Sequence, residues 1–437
     1  MSDAKGGDYE RGGTAAQVAV LADDLTGAAD SGVMFANHGL TTMVVWSSLE
    51  TARVPAGGPG TPAADVRVIS SESRECDRPE AVRRVRWCVQ RYIQPVEAAW
   101  VYKKIDSTLR GHPGAELAAL IDGIGSPRAL VAPAFPEQGR TTIGGVHRVH
   151  GVRLDKTVFG EHGTSAEVVR PFVEAFGSDA VTSLSLEVVR SGVGGISDAL
   201  EATGARVVVA DAETPEDLKA LVLGARRGGI HVLCGSAGLA SALGSVVTWQ
   251  TNAAAPDVSF QQGTMILVVA ASRHPRTRDQ VLALVTQGVR VVAPPVEWFT
   301  DPSALAAPVV RDLMTLGTCQ SCRNSPVVLT TVGLPTIPVQ GSLMTAKLGR
   351  VVRDLVETGW LAGMVLTGGD TAIAAADAME VEALWLRGEV RSGMPWGFWL
   401  GGAGEGLPVV TKAGGFGKRD ALIAAIDHLR NLARDRQ

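Results

Sequence analysis

Short apolar runs, many of them β-branched, recur along this chain, and most stop at Gly, Ser, Asp, Thr or Lys just before a segment of helical spacing. Runs of strand length that alternate with amphipathic segments predict β-α-β units, hence largely parallel sheets flanked by helices. In the first half the candidate strands are Gln17 to Leu21, Thr42 to Trp46, Val66 to Ile69, Ala129 to Ala132, Arg206 to Ala210 and His231 to Leu233. In the second they are Met265 to Ala270, Val327 to Thr330, Met364 to Leu366 and Pro408 to Val410. Between the halves, 251–263 (TNAAAPDVSFQQG) loses all periodicity and reads as a linker. With 437 residues, too many for one ordinary core, the expectation is two α/β domains, 17–250 and 264–437, with an active-site cleft between them. The polar, Gly-rich segment 1–16 reads as a disordered tail.

In an open α/β sheet the ligand crevice lies beyond the carboxyl ends of the strands, so the residues delivered there carry the functional signal. The densest delivery is Trp100 to Gly111, WVYKKIDSTLRG, where an aromatic run gives way to Lys103, Lys104, Ile105, Asp106, Ser107, Thr108 and Arg110. A Lys, an Asp, a Ser and an Arg leaving one strand end can converge on a polyhydroxylated anion. A solvated loop with Ser107 or Thr108 as helix cap is the alternative. The first strand ends in Asp23 and Asp24; one carboxylate is accounted for as a cap, the second needs its own partner or ligand. Arg74, after the strand at 66–69, suits a carboxylate clamp or a surface ion pair. Strands ending near Leu21, Ile69, Tyr102 and Ala132, the last followed by PAFPEQGRTT, thus deliver polar groups to one sheet edge. In Gly145 to Thr157 apolar and polar positions alternate as in a hairpin, with His147 and His150 read as rim or hairpin residues.

The second half carries two strand-turn-helix glycine turns, Thr367 to Ala372 (TGGDTA) and Thr411 to Gly417 (TKAGGFG). Free N–H groups at a helix start attract phosphate and Gly lets it approach the backbone, which makes Gly368, Gly369, Asp370, Thr371, Lys412, Gly414 and Gly415 candidate nucleotide contacts. Ser272 and Arg273 form a third candidate strand end. The turn Gly235 to Gly238 could receive phosphate at a helix start, with packing alone the preferred reading. No GxxxxGK followed by Ser or Thr is present, since Gly417-Lys418 runs into Arg419, and no GxGxxG. A net charge of −4 supplies no basic field for nucleic acid. No apolar run approaches the roughly 18 residues of a membrane span. Five scattered cysteines point to a reducing cytoplasm, and the Cys319-Cys322 pair lacks a second pair for zinc. No metal-ligand cluster is visible.

Taken together, ADDLTGAAD at 22–30, SR at 73–74, KKIDSTLRG at 103–111, PAFPEQGRTT at 133–142, GSAGLA at 235–240, TGGDTA at 367–372 and TKAGGFG at 411–417 resemble the four-carbon acid sugar kinase family, whose members phosphorylate threonate, erythronate or 3-oxo-tetronate. The motifs keep the family's order and span nearly the whole chain. The resemblance implies a sugar-acid domain followed by an ATP domain, with Asp23, Arg74 and Lys104 to Ser107 holding the acid, and Ser272, Gly368 to Thr371 and Gly414 meeting ATP. Asp370 stands where Glu is frequent in the family, and the loop at Cys319 to Cys322 matches nothing in it.

The expected reaction is ATP-dependent phosphorylation of a terminal hydroxyl. Arg74 and Lys104 fix the acid, Arg110 lines its pocket, and Asp106 acts as base with Asp24 as second choice. Mg²⁺ is expected with ATP, held by phosphates and water. Two other classes stay open: a non-catalytic sensor of sugar acids or nucleotides, and a nicotinamide-dependent hydroxy-acid oxidoreductase. Self-association as a homodimer is left open.

Overall fold

The computed structural model describes residues 16–46, 64–160, 164–247, 249, 256, 263–272, 274–301, 303–317, 326–333 and 341–434. Residues 1–15 of the expected tail, most of the expected linker, Arg273 and the Cys319-Cys322 pair lie outside these residues.

Fifteen strands of the described residues form one continuous sheet. Five of them, Arg290–Val292, Pro326–Thr330, Met265–Ala270, Leu361–Thr367 and Pro408–Lys412, run parallel in that spatial order. Eight from the first half also run parallel to one another: Thr42–Trp46, Val66–Ser70, Val18–Ala22, Trp100–Lys104, Val232–Gly235, Ala129–Ala132, Val207–Ala210 and Val181–Leu184. The expected fold class is therefore present, but the two sheets are fused. An antiparallel hairpin, Ala383–Arg391 with Met394–Leu400, pairs with Pro408–Lys412 on one side and with Thr42–Trp46 on the other. Leu384, Trp385 and Leu386 lie opposite Val44, Met43 and Thr42.

That junction contains three antiparallel pairings, so the two parallel runs point in opposite directions along the sheet. Twist compensates. Five strand steps separate Pro408–Lys412 from Val18–Ala22. At roughly 20 to 25° per step they accumulate roughly 100 to 125°. The carboxyl ends of the two runs are thereby swung toward each other.

Helix Leu25–Ala36 occupies the junction, packing on Thr42–Trp46, Val66–Ser70 and Ala383–Arg391 and touching helices Ala237–Val246 and Gly369–Ala378. Small residues permit the close approach: a Cβ at Gly32 would lie 2.8 Å from Leu386 Cδ1. One buried apolar cluster, including Phe35, Val68, Leu386 and Trp399, runs through both halves. A separate three-stranded antiparallel sheet, Arg140–Ile143, Val146–Val149 and Val152–Arg153, replaces the simple hairpin expected at 145–157. His147 on its middle strand is fully buried, so of the two readings the hairpin one fits and the rim one does not.

Candidate active site

The two expected carboxylates of the first strand end divide their work. Asp24 caps helix Leu25–Ala36, accepting from Gly27 N at 2.7 Å and Thr26 Oγ1 at 2.6 Å. Asp23, 3% exposed, is gripped by Arg74, whose Nε and Nη2 donate to its two oxygens at 2.8 and 2.7 Å. Arg74 Nη1 donates to Asp24 Oδ2. Burial opposes the Arg74 charge, but Asp23, Asp24 and Asp106 outweigh it and hold the guanidinium protonated far above its usual range. Arg74 is therefore a tie between the strand ends at 22 and 70, with three of its five N–H donors engaged by Asp23 and Asp24.

The loop after Trp100–Lys104 supplies the free cation. Lys104 is 3% exposed; its Nζ donates to Ile105 O at 3.0 Å, and no carboxylate of the described residues forms an ion pair with it. Gly27 makes room for it, since a Cβ there would lie 3.0 Å from Lys104 Nζ and 2.6 Å from Asp24 Oδ1. Ile105 is buried, its N–H donating to Gly235 O at 2.9 Å, so it anchors the loop through backbone and core. Asp106 accepts from Arg110 Nε at 2.8 Å, Arg110 Nη2 at 3.1 Å, Thr108 N at 3.2 Å and Thr108 Oγ1. Burial alone would raise its pKa, yet Arg74, Arg110 and Thr108 hold the carboxyl far below the usual range. Ser107 stands at the turn, its carbonyl 2.8 Å from His147 Nε2. A carbonyl only accepts, so Nε2 carries the proton and Nδ1 accepts from Thr142 Oγ1 at 2.9 Å. Burial pushes His147 down to about 4, so the ring stays neutral. His147 thus supports the loop at Ser107 from behind, a role its sequence neighbourhood did not signal.

On the other half, Lys412 ends its strand and folds back, donating to Ala413 O at 2.8 Å, Gly414 O at 3.2 Å and Phe416 O at 3.0 Å. Burial lowers its pKa to about 8. Gln280, fully buried, donates Nε2 to Phe416 O, Gly417 O and Lys418 O, and Thr277 Oγ1 donates to Gly414 O. With its carbonyls held inward, the glycine loop has amide groups left for a ligand, the arrangement of an anion nest. Gln280 and Thr277 went unread because nothing in a helix pattern marks a side chain that braces a distant loop. Gly414 and Gly415 fit tightly against Ser272 and His274: a Cβ at Gly414 would sit 2.0 Å from Ser272 Oγ, and one at Gly415 3.1 Å from His274 Nε2. Gly368 adopts φ +95°, a conformation side chains disfavour, and opens helix Gly369–Ala378 with Asp370 and Thr371 in its first turn.

These two sets face one another. Thr26, Asp30, Arg74, Lys104, Asp106, Ser107 and Arg110 line the same cleft as Thr411, Lys412, Ala413 and Phe416. A Cβ on Gly369 would lie 3.5 Å from Thr26 Cγ2, so the second glycine turn adjoins the same helix start. Ser236 and Ala237 also line the cleft, while Gly235 and Gly238 serve packing, their Cβ positions blocked by Ala132 O and Ala134 O. Asp30 is the residue that the sequence reading passed over, its position one turn into a helix hiding it among packing residues.

Residues 18–243 match a family described as a sugar-binding N-terminal domain, and 267–422 a nucleotide-binding C-terminal domain. The chain is 34% identical to a D-threonate kinase of Bordetella bronchiseptica, over 94% of this chain and 97% of that one. It is 29% identical to a D-erythronate kinase of Heliobacterium modesticaldum, over 94% and 97%. A solved structure from Salmonella typhimurium LT2 shares the fold with a TM-score of 0.77 at 20% identity, covering 94% of this chain and 98% of that one. With both of its halves matched in order and relatives aligned end to end, the chain belongs to the four-carbon acid sugar kinase family.

Proposed function

We propose that this protein transfers the γ-phosphoryl group of ATP to a terminal hydroxyl of a four-carbon sugar acid, D-threonate first among them. The observation that carries this reading is the single cleft in which Lys104 and Lys412, at strand ends of opposite halves, face a common space. Phosphoryl transfer demands alignment and charge neutralisation more than covalent help from the protein, and a cleft of this kind supplies both. Identity is higher to the D-threonate kinase than to the D-erythronate kinase, 34% against 29%, which favours threonate.

In this reading residues 17–250 hold the acid and 264–437 the nucleotide. Lys104 meets the acid carboxylate, with Ser107 and Arg110 beside it. Asp23 and Arg74 brace the pocket floor. Asp106 and Asp24 orient neighbours, their oxygens being taken by Arg110, Thr108, Arg74, Thr26 and Gly27. The loop at 413–417, Ser272 and the helix start at Gly368 to Thr371 receive the phosphates. Among the described residues no three His, Cys, Asp or Glu gather to hold an ion. From the chemistry of phosphoryl transfer, Mg²⁺ is proposed to arrive with ATP, held by phosphates and water and supplying charge neutralisation. No described helix is long and apolar enough to cross a membrane. The use of ATP fits a cytoplasmic setting.

Coupled ADP release, screened over D-threonate, D-erythronate and 3-oxo-tetronate, tests the proposal. Phosphorylated acid formed one for one with ADP is expected. Binding without ADP formation would favour a sensor, and absorbance at the nicotinamide band on adding acid an oxidoreductase. A narrower check is Gly414→Ala. Its new methyl collides with Ser272, so KM for ATP should rise about tenfold or more, a loss of about 1.4 kcal/mol or above. The acid KM should stay within threefold. An unchanged KM for ATP removes this loop from the nucleotide site.

A further inference from the structure

We propose that Asp30 is the catalytic base, the group that takes the proton from the attacking hydroxyl; this rests on the kinase reading above. Asp30 lies on helix Leu25–Ala36 and lines the cleft together with Lys104 and Lys412. Its Oδ1 is buried and has no hydrogen-bond partner. The three carboxylates at the strand ends beside it are engaged: Asp23 by Arg74, Asp24 by Arg74, Thr26 and Gly27, Asp106 by Arg110 and Thr108. A buried acceptor without a donor is costly in a resting protein, and a substrate hydroxyl is the donor that relieves it.

The charged groups around Asp30 come from every neighbouring element: Asp24 on its own helix, Arg74 after the strand at 66–70, Lys104 and Asp106 from the central loop, Arg140 from the small sheet and Glu389 from the junction hairpin. Burial raises the Asp30 carboxyl, Lys104 opposes that, Asp24 and Asp106 add to it, and the balance stands at about 6. Such a group is ionised at neutral pH yet basic enough to accept a proton, whereas Asp106, held far below the usual range, is a poor acceptor.

In the step itself an oxygen lone pair of the acid's terminal hydroxyl forms the bond to the γ-phosphorus. The bond from that phosphorus to the β,γ-bridging oxygen breaks, and its electron pair leaves with ADP. The hydroxyl proton passes to Asp30 Oδ1 and from there to water after product release.

Asp30→Asn keeps the shape and removes the basicity. It should lower kcat by about 10²-fold or more, leave KM for acid and for ATP within threefold, and leave calorimetric binding of a non-hydrolysable ATP analogue intact. In the wild type kcat/KM for the acid should fall below about pH 6, a limb set by Asp30. D30N should lose that limb, while Asp106→Asn, impaired in acid binding, should keep it. A limb kept by D30N and lost by D106N would transfer the role to Asp106 and overturn the proposal, as would D30N turnover within threefold of wild type. If D30N fails to bind the analogue, Asp30→Ser is measured in its place against the same two criteria. A wild type that releases no ADP with any four-carbon acid defeats the kinase reading as a whole; an active wild type with an unaffected D30N defeats only the role given to Asp30.

Discussion

Replacing Lys104 with Met should lower kcat/KM for the acid by roughly 30- to 4,000-fold while the folded protein becomes no less stable. The first half of that expectation follows from what an anion would meet. Lys104 Nζ, in a residue 3% exposed, spends one donor on Ile105 O and faces the cleft without a carboxylate at ion-pair distance. A desolvated charge pair that loses one partner costs about 2 to 5 kcal/mol, which is the range quoted. The second half follows from the free state. An ammonium removed from water and left short of partners opposes folding, so its removal relieves that cost even as it removes the anchor. Opposite movement of stability and turnover is the mark of a binding group, and steady-state kinetics with a thermal melt reads both. Turnover within threefold of wild type would mean the acid carboxylate is held elsewhere. Lys104→Arg should recover only part of the loss, because the guanidinium fork needs space that Gly27 leaves for a single nitrogen.

Much of the site's placement was legible because strand ends announce themselves. An apolar run that breaks into Asp23-Asp24, Arg74, Lys104 to Arg110 or a glycine turn needs only local chemistry to be recognised, and in an α/β fold such ends share one edge. The pairings were not legible. Arg74 reaches back 51 positions to Asp23, and nothing local distinguishes a guanidinium held there from one free to clamp a substrate. Asp30 and Gln280 escaped for the related reason that a helix pattern shows which face is apolar but not what a polar side chain on it meets. The junction hairpin was missed because Gly388, Pro395 and Gly397 interrupt its strand pattern. Gly397 is there for contact, since a Cβ would lie 2.0 Å from Trp385 O. Missing it meant expecting two sheets where the chain builds one, and with that went the twist that turns the two carboxyl edges face to face.

Glu116→Leu should cost about 3 to 5 kcal/mol of stability, a large share of the about 5 to 15 kcal/mol that a folded domain commands. Glu116 projects from the first turn of helix Pro113–Ile124 and meets Lys103 Nζ at 2.8 Å, with side chains 1% and 0% exposed. Ser73 Oγ donates to Glu116 Oε1 at 3.0 Å, and Ser71, 2.9 Å from Ser73, donates to Ala22 O, so the pair is tied to two further strand ends. Burial disfavours the Lys103 ammonium, yet Glu116 and Asp23 keep it protonated above its usual range. Once Glu116 is gone, the ammonium keeps Lys104 O as its hydrogen-bond acceptor at 2.9 Å and Asp23 as its remaining nearby anion. The loop from Ile105 to Gly111 is strung between these two residues, so acid turnover should fall with stability. Removing both charges separates pairing from packing: Lys103→Met with Glu116→Leu should regain most of the lost stability, since an apolar pair of similar volume commonly matches a buried ion pair. Urea unfolding of the two variants reads the difference. A single variant within 1 kcal/mol of wild type would mean that water, not Glu116, neutralises Lys103, and the loop would need another support.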